Sequence, residues 1–212
     1  MKGPGSEGRG ILFVLSAPSG TGKSSLAERL VREVPDLAFS VSYTTRQRRS
    51  GEEDGREYHF VDDRTFDSMV SAGELLEWAW VYDRRYGTGR AATERALGEG
   101  KDLLLDIDVQ GARQVRAGDT GAVSIFVLPP DFVTLEKRLR ARASDAPEQV
   151  EHRLAVARRE AEEYRHYDYL VLNQDLDPAV RSVASIVRAE RSRVSRNVEA
   201  GERIVRTFPA VS

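Results

Sequence analysis

The sequence that decides the fold of this chain is ILFVLSAPSGTGKSSLAERL, residues Ile11 to Leu30. Its first five residues are all apolar and too few for a helix, so they predict a buried strand. A loop rich in glycine and serine follows, and an amphipathic helical pattern begins at Ser25. Strand, glycine-rich loop and helix in this order are the context in which a phosphate-binding loop is expected.

The loop, Ala17 to Ser24, carries the groups that hold a phosphate. Gly20 and Gly22 allow successive backbone N–H groups to turn towards one centre, the start of the helix adds its dipole, and Lys23 adds a full charge. The hydroxyl of Ser24 is then placed to bind Mg²⁺. Ala17 stands where the strict motif has glycine, which costs little if its φ stays negative. The competing interpretation is an ordinary Gly/Ser turn before a helix.

Length and composition limit the class of protein. The 212 residues suit one domain, or one core domain with inserted regions. A net charge of −2 gives no overall signal for nucleic acid or anionic lipid, and the absence of cysteine excludes disulfides and thiolate metal sites. Because no apolar stretch approaches ~20 residues and no signal-peptide pattern is found, we expect a cytoplasmic protein without a membrane partner. The polar, glycine-rich segment Met1 to Gly10 predicts a disordered tail.

A basic region follows the first helix. Residues Phe39 to Tyr43 alternate apolar and polar, as a half-buried strand does. The next residues include four arginines and no apolar residue before Tyr58, which by composition is typical of a solvated loop. The aromatic end of this run, Tyr58 to Phe60, indicates that the chain then returns to a packed sheet.

One acidic residue lies inside an apolar run. Glu77 stands among Leu76, Trp78 and Trp80, and a carboxylate buried without a partner is costly. Either a cation of the protein or a ligand must pair with it, and the residues alone leave both possibilities open. The following Tyr86 to Gly89 segment predicts a turn that presents a phenol and a hydroxyl.

A second buried strand ends in two acids. The run from Leu103 to Asp108 is continuously apolar up to Asp106, which is typical of a parallel sheet covered on both faces. Asp106 and Asp108 are two residues apart, so we expect both on one face at the carboxyl end of the strand, where ligands bind in such folds. A role in binding Mg²⁺ or substrate competes with that of exposed acids at a strand end.

The rest of the chain alternates between helical and strand patterns. Helices are predicted over Thr65–Ala72, Ala91–Leu97 and Val109–Ala117, after an Asp131 cap, after a capping pair at Asp145 and Glu148, and from Pro178 onward, and strands over Leu75–Val81, Val123–Leu128 and Tyr169–Leu172. The last helix carries Arg188, Arg191, Arg193 and Arg196. Acidic residues interrupt this charge, which favours a solvated helix face over a nucleic-acid site.

Three separated motifs agree with one family, and from Ile11 to about Arg196 the chain closely resembles guanylate kinases of the bacterial type. The phosphate-binding loop is common to many proteins. The specific part is the set Thr44, Thr45, Arg46, Arg49, Glu52, Gly55, Tyr58 and Phe60, followed by Glu77-Trp78, Tyr86-Gly87 and Asp106-Ile107-Asp108. The resemblance implies an α/β fold with a P-loop NTPase-like parallel sheet flanked by helices. It also implies one domain over residues 11–212 that contains a small GMP-binding α+β insertion at about 42–90 and a helical lid at about 138–155.

The resemblance further implies ATP-dependent phosphorylation of GMP, and of dGMP, to the diphosphate, with Mg²⁺ as the cofactor. The implied ATP-binding residues are Ala17, Pro18, Ser19, Gly20, Thr21, Gly22, Lys23, Ser24, Ser25 and Asn173. The implied metal-binding residues are Ser24 and Asp106. The implied catalytic residues are Lys23, Arg46 and the lid arginines Arg138, Arg142 and Arg153. The implied GMP-binding residues are Arg46, Arg49, Tyr58 and Tyr86 for the phosphate, and Ser42, Glu77, Thr88 and Asp108 for the base.

The chemistry of the base fits a carboxylate at position 77. Guanine presents N1–H and an amino group as adjacent donors, which an ionised Glu77 can accept together, whereas adenine would leave an acceptor unsatisfied. Two residues depart from the family pattern: Arg48 replaces the usual proline, and Thr88 replaces the serine of some relatives while keeping the hydroxyl.

Two other functions stay open, an inactive module of the same fold that binds protein partners and a kinase for another small phosphorylated substrate. The sequence does not distinguish a monomer from a homodimer.

Overall fold

A computed structural model describes residues 8–81, 83–141 and 147–209. Most of the expected tail, the expected lid residue Arg142 and the capping residue Asp145 lie outside these ranges. The strands are β1 (Leu12–Ser16), β2 (Leu37–Phe39), β3 (Tyr43–Thr44), β4 (His59–Phe60), β5 (Leu75–Val81), β6 (Arg84–Gly89), β7 (Asp102–Asp106), β8 (Val123–Leu128) and β9 (Tyr169–Leu172). The α-helices are α1 (Lys23–Glu33), α2 (Asp63–Ser71), α3 (Arg90–Gly98), α4 (Val109–Ala117), α5 (Phe132–Arg140), α6 (Pro147–Ala161), α7 (Leu176–Arg191) and α8 (Val198–Val205).

Five strands form a parallel sheet in the order β2, β7, β1, β8, β9. The two continuous apolar runs, β1 and β7, lie side by side near its centre, as their composition predicts. Alternate residues of β1 enter different cores because successive side chains of a strand point to opposite faces. Phe13 and Leu15 pack with α1 and α7, while Leu12 and Val14 pack with α3 and α4. The sheet is therefore covered on both faces, and its carboxyl-terminal edge is left for a site.

Four strands form a second, mixed sheet in the order β4, β3, β6, β5. Helix α2 packs on it through Phe66 and Met69, which share a small core with Leu75. Arg85 of β6 is buried, forms ion pairs with two aspartates of α2, and lies over the ring of Phe66 at 4.8 Å. The return of the basic run to a sheet is confirmed, because β4 pairs with β3.

The single strand expected over Phe39 to Tyr43 is wrong, because the chain changes sheets within it. The backbone N–H of Ser40 still donates to Leu104 O of the first sheet at 3.1 Å, whereas Ser42 O already accepts from His59 N of the second sheet at 2.9 Å. The alternating pattern is the same in both sheets, so it cannot reveal where the pairing partner changes.

The turn expected over Tyr86 to Gly89 is also wrong, because these residues belong to β6. Gly87 stands opposite Trp78 in the β5–β6 pair. A Cβ at position 87 would lie 3.0 Å from Glu77 O and 3.1 Å from Trp78 Cβ, so the glycine permits a close approach of the two strands. Glycine inside a strand often marks such an approach.

Helices α5 and α6 pack against each other beside the first sheet through Leu135, Leu139, Leu154 and Ala157. The predicted Asp131 cap of α5 is confirmed, since its side chain accepts from Thr134 N at 2.6 Å. Among the described helices, none combines the length and the apolarity needed to cross a bilayer.

Candidate active site

The loop between β1 and α1 has the backbone shape that phosphate binding requires. Gly20 and Gly22 have φ values of 89° and 92°, in the left-handed region that favours glycine. Ala17 is not in that region, so its departure from the strict motif brings no backbone strain. The hydroxyl of Thr21 donates to Pro18 O at 2.7 Å and closes the turn. The first amides of α1 then point out of the loop, where they can hold an anion.

Two side chains from distant parts of the chain bind the Thr21 carbonyl of this loop. Asn173, which follows β9 and is buried, donates from Nδ2 to Thr21 O at 2.7 Å. Arg138 of α5 donates from Nη1 to the same oxygen at 3.1 Å and to Asn173 O at 3.0 Å. In this arrangement the Arg138 guanidinium is held by backbone carbonyls at the edge of the loop.

The predicted lysine and aspartate meet at the end of the sheet. Lys23 Nζ forms an ion pair with Asp106 at the end of β7, and it also donates to Ile107 O at 3.0 Å. Ser24, the next residue, is exposed. An ammonium, a hydroxyl and a carboxylate therefore stand together where the two central strands end.

Helix α6 reaches the outer side of the phosphate-binding loop. Arg153 donates to Ser19 Oγ from Nε at 3.2 Å and from Nη2 at 2.8 Å. Glu160, two turns later, accepts from Ser19 N at 3.3 Å, and burial raises the pKa of its carboxyl. Glu160 could not be predicted as a site residue, because an acid on a highly charged helix carries no local signal.

The aromatic and basic groups of the second sheet form one cluster. Arg46 Nη1 and Nη2 bind both oxygens of Glu52 at 3.0 and 2.7 Å, and this pairing raises the pKa of the guanidinium. Arg46 also lies over the ring of Tyr58 at 5.3 Å, and Tyr58 stands edge to face with Tyr86. Burial raises the pKa of the Tyr58 phenol, and Tyr86 beside it adds to that effect. Arg49 donates its backbone N–H to Glu52 at 2.7 Å and keeps an exposed side chain.

The acid inside the apolar run is buried against a hydroxyl. Glu77 is 4% exposed, and its Oε1 accepts from Thr88 Oγ1 at 2.6 Å. Burial raises the pKa of Glu77 to about 7, and the charge of Asp108 adds to it, while the Thr88 hydrogen bond opposes the shift. In the part of the chain that the structure describes, Glu77 has no ion pair. A structural cation, one of the two partners considered for it, is therefore not found there.

The expectation that Asp106 and Asp108 share one face of a strand needs correction. Strand β7 ends at Asp106, and Asp108 is the N-cap of α4, where its Oδ1 accepts from Gly111 N at 2.8 Å. Aspartate is among the preferred N-cap residues, and this preference ends the strand before Asp108. Both carboxylates nevertheless face the same cleft.

A cleft of about 690 Å³ joins the two sheets. It is lined on one side by Lys23 and Ser24 at the start of α1, Asp106 at the end of β7 and the α4 cap Asp108, and on the other side by Ser42, Tyr58, Glu77 and Tyr86 of the second sheet and the segment that leads into it. Arg46, Arg49 and Thr88 do not line it. Arg46 contacts the lining residue Tyr58 and Thr88 contacts the lining residue Glu77, whereas Arg49 bonds to Glu52, which does not line the cleft. Glu28, Arg56 and Glu57 also line this cleft and were not predicted.

The oxygen donors of Ser24 and Asp106, next to Lys23, fit a magnesium ion that is bound together with a nucleotide. Mg²⁺ prefers oxygen ligands and is commonly held by one or two protein oxygens plus substrate phosphates and water. A hydroxyl and one carboxylate at the mouth of a phosphate-binding loop match that requirement. No group of three metal-binding side chains is found among the described residues.

Comparison with known proteins gives one consistent result. The model of the family described as guanylate kinase matches residues 9–190. The chain is 50% identical over 193 residues to guanylate kinase of Nitrobacter hamburgensis, covering 91% of this chain and 88% of the relative. It is 51% identical over 187 residues to guanylate kinase of Syntrophotalea carbinolica, covering 88% and 89%. The crystal structure of guanylate kinase from Anaplasma phagocytophilum superposes with a TM-score of 0.75 at 33% identity, covering 97% of this chain and 98% of that one.

Proposed function

The chain belongs to the guanylate kinase family and phosphorylates GMP with ATP, and from that premise we propose how its residues divide the work of the reaction. Residues 17–25 hold the phosphates of ATP through backbone amides and the charge of Lys23. Asn173 and Arg138 maintain the shape of this loop by binding Thr21 O. Because both bind the Thr21 carbonyl, the backbone amides of the loop stay available for the phosphates.

Ser24 and Asp106 hold the Mg²⁺ that accompanies ATP. Held by these two residues, the ion would supply positive charge that offsets the charge of the phosphates. Lys23 lies between the Mg²⁺ ligands and the place of the phosphates, since its ammonium contacts Asp106 and its backbone belongs to the phosphate-binding loop. A nucleotide phosphate would give the same ammonium a second anion to bind.

The phosphate of GMP is bound by Arg46 and Arg49 together with the phenols of Tyr58 and Tyr86. Arginine presents a planar pair of donors that matches a phosphate. The aromatic contact with Tyr58 and the two bonds to Glu52 orient the Arg46 guanidinium before substrate arrives. Less conformational freedom is then lost on binding.

The guanine base is bound by Glu77, Thr88, Ser42 and Asp108. Glu77 in its ionised form accepts from N1–H and from the amino group of guanine. The Thr88 hydroxyl donates to Oε1 and limits the orientations that the carboxylate can take. Because this contact does not involve the sugar, we also propose dGMP as a substrate.

Transfer begins when a phosphate oxygen of GMP attacks the γ-phosphorus of ATP. The new P–O bond forms as the bond to the bridging β-oxygen breaks, and ADP leaves. Such a loose transition state requires alignment and charge neutralisation more than a strong base. Lys23, Arg138, Arg153 and Arg142, which lies outside the described residues, offset the charge of the moving group.

We further propose that residues 11–212 act as one domain, in which the insertion at about 42–90 and the lid at about 138–155 close over the cleft and exclude water. Residues 8–10 lie outside that span and contact α3, since Gly10 N donates to Leu97 O at 2.7 Å. A cytoplasmic location, where both nucleotides are available, and a monomer or homodimer complete the proposal.

The observation that carries the base assignment is the buried Glu77 carboxylate in the same cleft as Lys23. A coupled assay with GMP, dGMP, AMP, UMP and dTMP tests it. Glu77→Gln should lower the ratio of kcat/KM for GMP to that for AMP by about 10- to 100-fold, because a charged hydrogen bond is worth roughly 1.5–3 kcal/mol. Glu74→Gln, an exposed acid three residues earlier, is the control. If the GMP-to-AMP ratio of kcat/KM were unchanged in Glu77→Gln, Glu77 would not be a residue that recognises guanine.

A further inference from the structure

Helix α4 contains a glycine that its backbone does not require. Gly111 is the third residue of this helix, and its φ lies outside the left-handed region. Glycine is among the poorest helix formers, so helix propensity alone favours another residue at this position. The reason for glycine must therefore be the space around it.

That space is filled by the Glu77 carboxylate. A Cβ at position 111 would lie 2.3 Å from Glu77 Oε2 and 3.1 Å from its Cδ. The other oxygen of the same carboxylate accepts from Thr88 Oγ1 at 2.6 Å. Glu77 is thus held between a hydroxyl on β6 and the bare backbone of α4.

Helix α4 is capped before this contact and is bound to β5 one turn after it, through Gln114. Its N-cap Asp108 accepts from Gly111 N at 2.8 Å, and Gln114, one turn after Gly111, accepts from Trp78 N at 3.1 Å and donates to Trp78 O. Trp78 is the residue that follows Glu77. Because Gln114 binds α4 to β5 beside Glu77, the helix cannot move away from Glu77 to make room for a side chain at position 111 without breaking these bonds.

We propose that Gly111 is a positioning residue for guanine recognition, since only a residue without a side chain leaves room for the Glu77 carboxylate. This inference rests on the proposed role of Glu77. A methyl group at position 111 would meet the flexible end of Glu77 and not a backbone atom. The carboxylate would therefore move away while the fold persists.

Gly111→Ala tests the inference with GMP and IMP, because IMP keeps N1–H and lacks the amino group of guanine. The ratio of kcat/KM for GMP to that for IMP should fall about tenfold or more, the worth of one charged hydrogen bond. KM for ATP should change by less than about twofold, and the melting temperature should not fall. Gly201→Ala is the matched control, because Gly201 lies within α8 with open space around it.

A double-mutant cycle with Glu77→Ala distinguishes the possible outcomes. If Gly111 acts through the carboxylate, Gly111→Ala should lower the ratio in the native background and have no further effect when residue 77 is alanine. An unchanged ratio in Gly111→Ala, an equal loss on both substrates, or an unfolded variant would overturn the inference. An unchanged ratio in Glu77→Ala alone would instead overturn the proposed role of Glu77.

Discussion

The two sides of the cleft are built in different ways. The ATP side is formed mainly by consecutive residues, from Ala17 to Ser25, and a single strand-to-helix connection shapes it. The GMP side brings together residues from Ser42 to Asp108, which lie on several strands, a basic loop and the start of a helix. On the proposed assignments, local chain geometry determines phosphate binding on one side, whereas packing between elements determines base recognition on the other.

The two sides also differ in how their charges are partnered. Lys23 on the ATP side is paired with Asp106 and is accessible to a phosphate. Glu77 on the GMP side is buried and bonded to a neutral hydroxyl, and burial raises its pKa to about 7. An ammonium paired with a carboxylate suits the proposed role in phosphoryl transfer, and a buried carboxyl with a raised pKa suits the proposed role in binding the donors of a base.

Replacing Lys23 should have the largest effect on the rate of phosphoryl transfer. Lys23→Met removes the charge that the moving phosphoryl group needs, so kcat should fall about 100- to 1000-fold. Steady-state kinetics with both substrates would measure this. Lys101→Met, which changes an exposed lysine paired with Glu99, is the control. A loss confined to KM would assign Lys23 to ground-state binding and weaken the contrast between the two sides.

A smaller effect is expected from Arg46→Lys. Lysine keeps the charge but cannot bind Glu52 and a phosphate with paired planar donors. KM for GMP should rise about 10- to 100-fold, whereas KM for ATP stays within about twofold. Arg64→Lys, on the exposed surface of α2, controls for the substitution itself. An equal rise in both KM values would mean that the two sides are not separable.

The raised pKa of Glu77 predicts that activity towards GMP rises with pH, whereas the stability of the folded protein falls with pH. GMP needs the ionised carboxylate, so kcat/KM for GMP should rise from about pH 6 to about pH 8 with an inflection near 7. Glu77→Gln should lose this inflection and keep the one near pH 6 that belongs to the phosphate of GMP. A profile identical in both proteins would contradict the assignment.

Stability should change in the other direction. Since the folded pKa of about 7 exceeds the ordinary value of 4.5, the folded protein loses stability as pH rises between these values. Glu77→Gln should therefore be more stable than the native protein by up to about 3 kcal/mol at about pH 8, and the difference should vanish near pH 4.5. Urea unfolding at several pH values would measure it, and a difference that does not depend on pH would argue against the raised pKa.

The smallest effect is expected from removing one helix cap on each side of the cleft, which should lower only the unfolding free energy. Asp131→Ala removes the cap of α5, and Asp62→Ala removes the cap of α2, where the side chain accepts from Thr65 N at 2.7 Å. Each should cost about 1 kcal/mol of unfolding free energy with little change in kcat. The asparagine variants, which keep a capping oxygen, are the controls. If only one of the pair lowers stability, the two regions do not unfold as one unit.

Several elements could be predicted from local patterns. The strands β1 and β7 follow from continuous apolar runs, and the Asp131 cap of α5 follows from residue type. The change of sheet between Ser40 and Ser42 could not be predicted, because both sheets impose the same alternation of side chains. The assignment of Tyr86–Gly89 to a turn was wrong because the glycine at position 87 serves strand packing and not chain reversal.

Residue order alone predicts the phosphate-binding loop and the parallel sheet, because both depend on the chemistry of residues that are close along the chain. It also identified the family through separated motifs. The packing of the folded chain, by contrast, sets the Glu77–Thr88 hydrogen bond, the helix cap at Asp108 and the space that Gly111 leaves for a carboxylate. These contacts join elements far apart in the chain, and their energies depend on distances and burial that only the packing of those elements sets.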